Sequence, residues 1–211
     1  MSDVKRISIT EALKELKLYD ARIGKAIAAT KFIGAKKKSD DKVGTINKEV
    51  FDQLAVSGHQ SITDLIANRA KIKAAIVQSN ATTMVEIAGI KYTVAQAIER
   101  KNSIEYEKDL LLAMKTQWTE ANIRVNNENN KVDNQVNKML EAFLGKDSDK
   151  KVSQTDLSTI SDQYRDKNEW ELEDPLGLYN LMMELESNID SFEADVDVRL
   201  SISNSVTYIE V

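Results

Sequence analysis

The sequence predicts a mainly α-helical fold, a long antiparallel helical bundle or coiled coil that carries a small antiparallel β-sheet. Apolar residues at helical spacing and helix-capping motifs in front of them predict the helices. Two short stretches rich in β-branched residues predict the sheet, built from a hairpin at about 83–92 and a C-terminal strand at about 206–211. We expect residues 1–211 to form a single elongated domain.

Capping motifs open three of the predicted helices. Ser8-Ile9-Thr10-Glu11 has the spacing of a capping box and precedes an apolar ladder. The same signal returns at Ser61-Ile62-Thr63-Asp64, so we expect a new helix to begin there. A short helix at about Lys48 to Ala55 precedes it, with Val50, Phe51 and Leu54 as its apolar face. Thr93-Val94-Ala95-Gln96 caps the third helix.

Two further signals fix the ends of elements. The stretch from Lys36 to Asp41 is typical of a solvated turn that ends at Gly44. Asp174 and Pro175 have the residue types of an N-cap and of a first helical position. We therefore predict that an amphipathic C-terminal helix begins at Pro175.

Residues 93–143 give the sharpest periodicity in the chain. Apolar residues recur every seven positions at Ala97, Ile104, Leu111, Trp118, Val125, Val132 and Met139. Six of the twelve residues from Asn126 to Asn137 are Asn, a poor helix former. A single helix about 75 Å long, at ~1.5 Å per residue, and a helical hairpin are both consistent with this pattern. The region 145–173 that follows is expected to be a linker-like insertion, with Thr155 to Tyr164 as a candidate short helix.

A residue pattern that occurs twice in the chain bears on the predicted sheet. Ser203 to Val211 repeats the residue pattern of Ser79 to Ile87, and each copy follows a long amphipathic segment. We predict that the C-terminal strand pairs beside the hairpin in one three-stranded sheet. Thr30 to Ile33 is a candidate fourth strand.

Composition excludes several kinds of chemistry. The chain has no Cys, one His and one Pro, so disulfides, zinc sites of Cys and His, and a Cys nucleophile are excluded. His59 is expected in a loop before a helix start, without a catalytic role. Asp40-Asp41 before Gly44 and Asp147-x-Asp149 do not fit the Gly and Glu spacing of a calcium loop. We expect no enzymatic activity, no cofactor and no metal.

Charge is unevenly distributed along the chain. The net charge of −5 disfavours direct binding of nucleic acid. Met1 to Lys38 holds ten basic and four acidic residues, whereas Glu169 to Asp197 holds ten acidic residues and no basic one. These regions are expected to attract, within one chain or between copies, unless they are only two solvated helix faces. No stretch has the length of a signal-peptide core or a membrane span, so we expect no membrane partner.

The order of four segments resembles a known group of proteins. The segments are SITEALKEL, DLIANRAKIKAAIVQSNATT, GIKYTVAQAIERKNSI and SNSVTYIEV. They resemble small helical proteins of bacteria and tailed bacteriophages with Asn-Ala-Thr-Thr-like turns, some of them labelled septicolysin-like. About half of the chain is covered, and the matching positions are Asn80, Thr82, Thr83, Thr93, Ala97, Ile98 and Arg100, with Asn204 and Thr207 as a second copy. The resemblance implies a helical fold with a small sheet and no agreed catalytic residue.

The resemblance also implies a role. Phage relatives of this length lie among structural and tail genes, which implies a non-enzymatic structural or assembly component of the virion, in the head–tail region or the tail, assembled in the host cytoplasm. The expected partners are other phage structural proteins, further copies of the chain, or both. The alternative is a septicolysin-like, membrane-acting, pore-forming protein.

Two features of the residues indicate how such partners would be contacted. Apolar stripes on the long helices lack enough matching surface in the sequence, so we expect other polypeptides to cover them. The alternating Glu-Trp-Glu-Leu-Glu segment and the terminal strand are the candidate contacts. Their apolar residues are Trp170, Leu172, Tyr208, Ile209 and Val211.

Overall fold

The structure is a computed structural model that describes residues 5–146 and 154–211, and the predicted mainly α-helical class is confirmed. The elements in chain order are β1 (Arg6–Ser8), α1 (Ile9–Ala29), β2 (Lys42–Val43), β3 (Ile46–Asn47), α2 (Lys48–Thr82), β4 (Met84–Ile87), β5 (Ile90–Thr93), α3 (Val94–Lys146), α4 (Gln154–Asn168), α5 (Leu178–Val206) and β6 (Tyr208–Glu210). Contacts divide the chain into two compact units, Met1–Asn102 with Ser191–Val211, and Ser103–Asp190.

The core of the first unit forms where β1 and β6 pair. The two strands are antiparallel, and Ile7 lies opposite Ile209. Both side chains are buried together with residues of the α1–α2 helix pair. This cluster consists of Ile7, Ile9, Ala12, Leu16, Ile72, Ile76 and Ile209.

The predicted three-stranded sheet is wrong. β4 pairs only with β5, through a turn at Ala88 and Gly89, both of which have positive φ. β6 pairs with β1 instead. The Ser-Asn-x-x-Thr pattern specifies that a strand forms, but the choice of partner is nonlocal and depends on which apolar side chains complete a core.

One of two local predictions between α1 and α2 is wrong and the other is confirmed. The candidate strand at 30–33 is irregular, because Thr30 is the C-cap of α1 and bonds back to the carbonyl of Ala26. The solvated turn predicted from Lys36 to Asp41 is present, with the Asp40 N–H bonded to the Lys37 carbonyl. A small hairpin that was not predicted follows it, in which Val43 pairs with Ile46 across Gly44. Gly44 has a φ of +60°, as such a tight turn requires.

The capping motifs divide into two that are confirmed and one that is wrong. Ser8 and Glu11 form a reciprocal capping box at the start of α1. Thr93 and Gln96 exchange the same two hydrogen bonds at the start of α3. The Ser61 motif caps nothing, since α2 runs unbroken from Lys48 to Thr82.

Gly58 explains how α2 passes through the predicted loop. A Cβ at Gly58 would lie 2.6 Å from Cγ2 of Thr30, so the glycine lets α2 approach the end of α1 closely. Packing of this kind compensates for the roughly 1 kcal/mol that a helical glycine costs. His59 consequently lies in a helix rather than in a loop.

The open alternative for residues 93–143 is resolved as one continuous helix, α3. Every position of its heptad stripe is buried or half-buried. The stripe of α5 is covered in the same way, with Met182, Ile189, Phe192 and Val196 buried. The expectation that other polypeptides must cover these stripes is therefore wrong. The two helices also pair through charged side chains. Lys101 forms an ion pair with Asp197 in the first unit, and Lys115 forms one with Glu186 in the second.

The start of α5 and the region before it differ from the sequence prediction. Pro175 lies in a turn, and α5 begins at Leu178, whose N–H donates to the carboxylate of Asp174 at 2.8 Å. The capping residue was thus identified, but the helix begins three residues later than predicted. In the 145–173 region, α4 confirms the candidate short helix at Thr155 to Tyr164 and extends it at both ends. The Asp147-x-Asp149 sequence lies outside the described residues.

We predict that Gly58→Ala destabilises the protein. The added methyl group meets Thr30, and overpacking of this kind costs about 1–3 kcal/mol. Gly24→Ala is the matched control: it lies in α1 with no atom within 4 Å of the added Cβ, and should stabilise by about 0.5–1 kcal/mol. Urea unfolding measures both variants. Equal stabilisation by the two changes would contradict the close approach of α2 to Thr30.

We predict that the Ala88 amide reports the ionisation of Asp195. The carboxylate accepts the Ala88 N–H at 3.2 Å and pairs with Arg199, and these two contacts hold the pKa of Asp195 below its usual value. A lowered pKa means that the contact stabilises the fold above the unfolded value of ~3.9 and is lost as pH falls through the folded one. The NMR shift of the Ala88 amide should follow that low pKa. The same titration should disappear in Asp195→Asn, and its persistence there would contradict the contact.

Candidate interaction surfaces

A group of exposed apolar side chains in the first unit lies where α2 extends beyond the end of α1. Because Thr30 packs on Gly58, the first turns of α2 have no α1 residues beside them. The loop after Thr30 lies there instead, and Gly34 packs against Val43 and Phe51 so tightly that a Cβ would lie 2.3 Å from the Val43 side chain. We call this end of the α1–α2 pair, residues 30–57, the tip. These contacts fix its backbone.

Five apolar side chains remain exposed on this tip. Ile33 is 88% exposed and Val56 69% exposed. We define the tip surface as Phe32, Ile33, Val50, Leu54 and Val56. Its α2 members line an open groove together with polar side chains such as Gln53 and Ser57. Clustered apolar exposure of this kind is typical of a protein-binding surface.

The sequence prediction for this helix face is corrected in part. Val50, Phe51 and Leu54 were expected to form one buried face, but only Phe51 is buried. Helical spacing alone cannot distinguish a side chain that faces the loop from a neighbour that faces solvent. The unusual run of exposed apolar residues from Phe32 to Val56 was therefore missed as a site.

The tip is also positively charged. Residues 30–52 contain six Lys and four acidic residues. Lys31, Lys37, Lys38 and Lys42 are exposed. Lys48 is paired with Asp52 at 2.7 Å, and that hydrogen bond raises the pKa of Lys48. The border of the apolar tip surface therefore carries a net positive charge, with the exposed Asp40, Asp41 and Glu49 among its lysines.

The predicted contacts Trp170 and Leu172 lie in an irregular segment between α4 and α5 in the second unit. The side-chain amide of Asn129 holds the backbone of Trp170 on both sides, accepting its N–H at 2.7 Å and donating to its carbonyl at 2.9 Å. The guanidinium of Arg124 lies 5.0 Å from the centre of the indole ring. Trp170 is still 41% exposed, and Leu172 is half-buried. An Asn of the Asn-rich stretch therefore has a definite role.

The predicted contacts of the terminal strand differ in exposure. Ile209 is buried in the core, and Val211 packs against that core while its backbone pairs with Lys5. Both residues are covered within the chain. Tyr208 is 53% exposed, with the Arg6 guanidinium 4.9 Å from its ring centre, and is the one of the three with an open face.

The lone histidine and the acidic side chains do not form a chemical site among the described residues. His59 is exposed on α2, and in residues 5–146 and 154–211 no group of three or more His, Cys, Asp or Glu is placed to hold a metal ion. No helix in that part of the chain has the length and apolar character needed to cross a bilayer.

Comparison with known proteins gives no relative: no family model, no curated protein and no solved structure matches the chain. The resemblance to the septicolysin-like and phage group stays a prediction.

We predict that Asn129→Ala loosens Trp170. The change removes two hydrogen bonds to its backbone, each worth about 1 kcal/mol. In a Trp118→Phe background, where Trp170 is the sole tryptophan, acrylamide should quench its emission more efficiently after the change. Asn126→Ala, an exposed position on the same helix, is the control and should leave quenching unchanged. Equal quenching in the two variants would contradict the role of Asn129.

Proposed function

We propose that this chain is a non-enzymatic structural or assembly protein that binds other polypeptides through the tip surface. The observation that carries the proposal is the exposed apolar cluster on a backbone fixed from behind by Gly34, Phe51 and Gly58. The resemblance stated above supplies the setting, a head–tail or tail component of a tailed-phage particle assembled in the host cytoplasm.

The physical argument rests on the cost of exposed apolar area and on preorganisation. Removing apolar surface from water contributes about 25 cal/mol per Å², so covering the tip surface favours association. A surface already held in place loses less conformational entropy when a partner binds. The close contacts at Gly34 and Gly58 keep the loop and the first turns of α2 together before any partner arrives.

The charge around the tip supports selectivity for an acidic partner. Exposed lysines at the edge of an interface increase the association rate of an acidic surface and disfavour a basic one. The tip therefore combines an apolar centre with a polar, charged border, the usual arrangement of a protein–protein interface.

Mass spectrometry of purified particles tests the proposal. We expect the chain in the particles, and we expect a Leu54→Ser, Val56→Ser variant to be excluded from them while it keeps the wild-type circular dichroism. The control is Ile66→Ser, Val77→Ser, which changes two similarly exposed apolar residues of α2 outside the tip. Control particles should contain the variant protein. Absence of the wild-type chain from particles, or equal incorporation of both variants, would contradict the proposal.

A further inference from the structure

The tip carries two features that a partner must match. Its apolar centre is the tip surface, and residues 30–52 around it carry a net excess of lysine, six Lys against four acidic residues. A partner therefore needs exposed apolar side chains interleaved with acidic ones. A second tip does not meet this requirement, because two surfaces with an excess of lysine repel each other.

Residues 169–176 of the chain have the required chemistry. This segment contains four acidic residues and no basic one. Glu169, Glu171 and Glu173 are exposed, and they alternate with the apolar Trp170 and Leu172. Leu176, at the end of the segment, is 68% exposed.

Hydrogen bonds also fix the backbone of this segment near both of its ends. The Asn129 side chain fixes the backbone at Trp170, and the Asp174 carboxylate fixes the other end by accepting the Leu178 N–H. Arg124 covers part of the indole ring and leaves the rest exposed. Since these contacts already order the segment within the second unit, it loses less conformational entropy on binding than a free irregular peptide would.

We propose that the tip of one copy binds residues 169–176 of a second copy. This inference rests on the proposed function, since it names the partner of the tip surface. In the complex, Trp170 and Leu176 lie on the apolar tip surface, and the three glutamates lie beside the tip lysines. Tip and segment are different surfaces, so each copy keeps one of each free and the contact is head-to-tail, which builds rings or filaments.

The expected contact is weak and salt-dependent. Each surface is a small patch, which corresponds to an interface below about 1,200 Å² in total, the class of transient contacts. Exposed charges at its border are screened within a Debye length of about 8 Å at physiological salt. Association should therefore increase with protein concentration and decrease with added salt.

Charge reversal of full-length protein, followed by light scattering and sedimentation, tests this contact. The tip variant carries Lys31→Glu, Lys37→Glu and Lys38→Glu, and the segment variant carries Glu169→Lys, Glu171→Lys and Glu173→Lys. We expect wild-type protein to grow in mass with concentration at low salt, and each variant alone to stay monomeric. The control reverses Lys14, Lys17 and Lys25, three exposed lysines of α1 away from the tip, and should associate like the wild type.

Mixing separates this mechanism from misfolding. An equimolar mixture of tip and segment variants should associate again, because each tip of one variant meets a segment of opposite charge on the other variant. One chain carrying both reversals should regain association, which misfolded protein would not do. A wild-type chain that stays monomeric at every concentration, single variants that still associate alone, or a mixture that stays monomeric would overturn the inference. If the inference fails while Leu54→Ser, Val56→Ser is still excluded from particles, the proposed function stands with a different partner.

Discussion

The pairing of β1 with β6 is the constraint on which the first unit depends. The two strands are only three residues each, and an isolated two-stranded ribbon is at best marginally stable. They form because Ile7 and Ile209 complete a core that α1 and α2 leave open. Flanking hydrogen bonds extend the pairing, from Lys5 to Val211 at one end and from the Ile9 N–H to the Thr207 carbonyl at the other. The end of α5 is thereby attached to the start of α1.

This constraint explains why the two ends of the α1–α2 pair differ. Near the strands, the helices bury Leu16, Ile72 and Ile76 against the β1–β6 pair. At the other end α1 has already finished, and the loop after Thr30 and the β2–β3 hairpin pack on α2 in its place. The strand end supplies stability, and the tip is left with apolar residues that are 45% to 88% exposed. A surface outside the core can change its side chains to fit a partner at little cost to folding, which is why interaction surfaces commonly lie at such positions.

Local physics determined which parts of the fold the sequence could predict. The boxes at Ser8 and Thr93 are satisfied within four residues, so their patterns were sufficient. The heptad stripe of α3 was also predicted correctly, because its spacing matches one helix face over many turns. The helix start predicted at Ser61 was wrong because α2 continues through this position. The packing of Gly58 on Thr30, which accompanies that continuity, joins residues far apart in sequence.

Nonlocal contacts account for the remaining misses, including those at the candidate sites. Nothing in the Ser203 to Val211 pattern indicates that Ile209 faces Ile7 rather than the hairpin. Trp170 was identified as a contact from its acidic, alternating neighbours, yet its tie to Asn129 crosses 41 residues and no spacing reveals it. Phe51 is buried because the loop covers it, whereas Leu54 is not covered and stays exposed. The helical spacing of the two residues gives no information about the position of the loop.

Hydrogen exchange in an Ile209→Ala variant tests the role of the strand pair most directly. Removing this side chain takes away the β6 contribution to the core shared by β1, α1 and α2. We expect faster amide exchange in β1, in the first half of α1 and around Ile72 to Ile76, as well as in β6. Tyr208→Ala, which truncates the exposed neighbour, should leave α1 and α2 protected. Faster exchange confined to residues 208–211 in the Ile209→Ala variant would contradict the account.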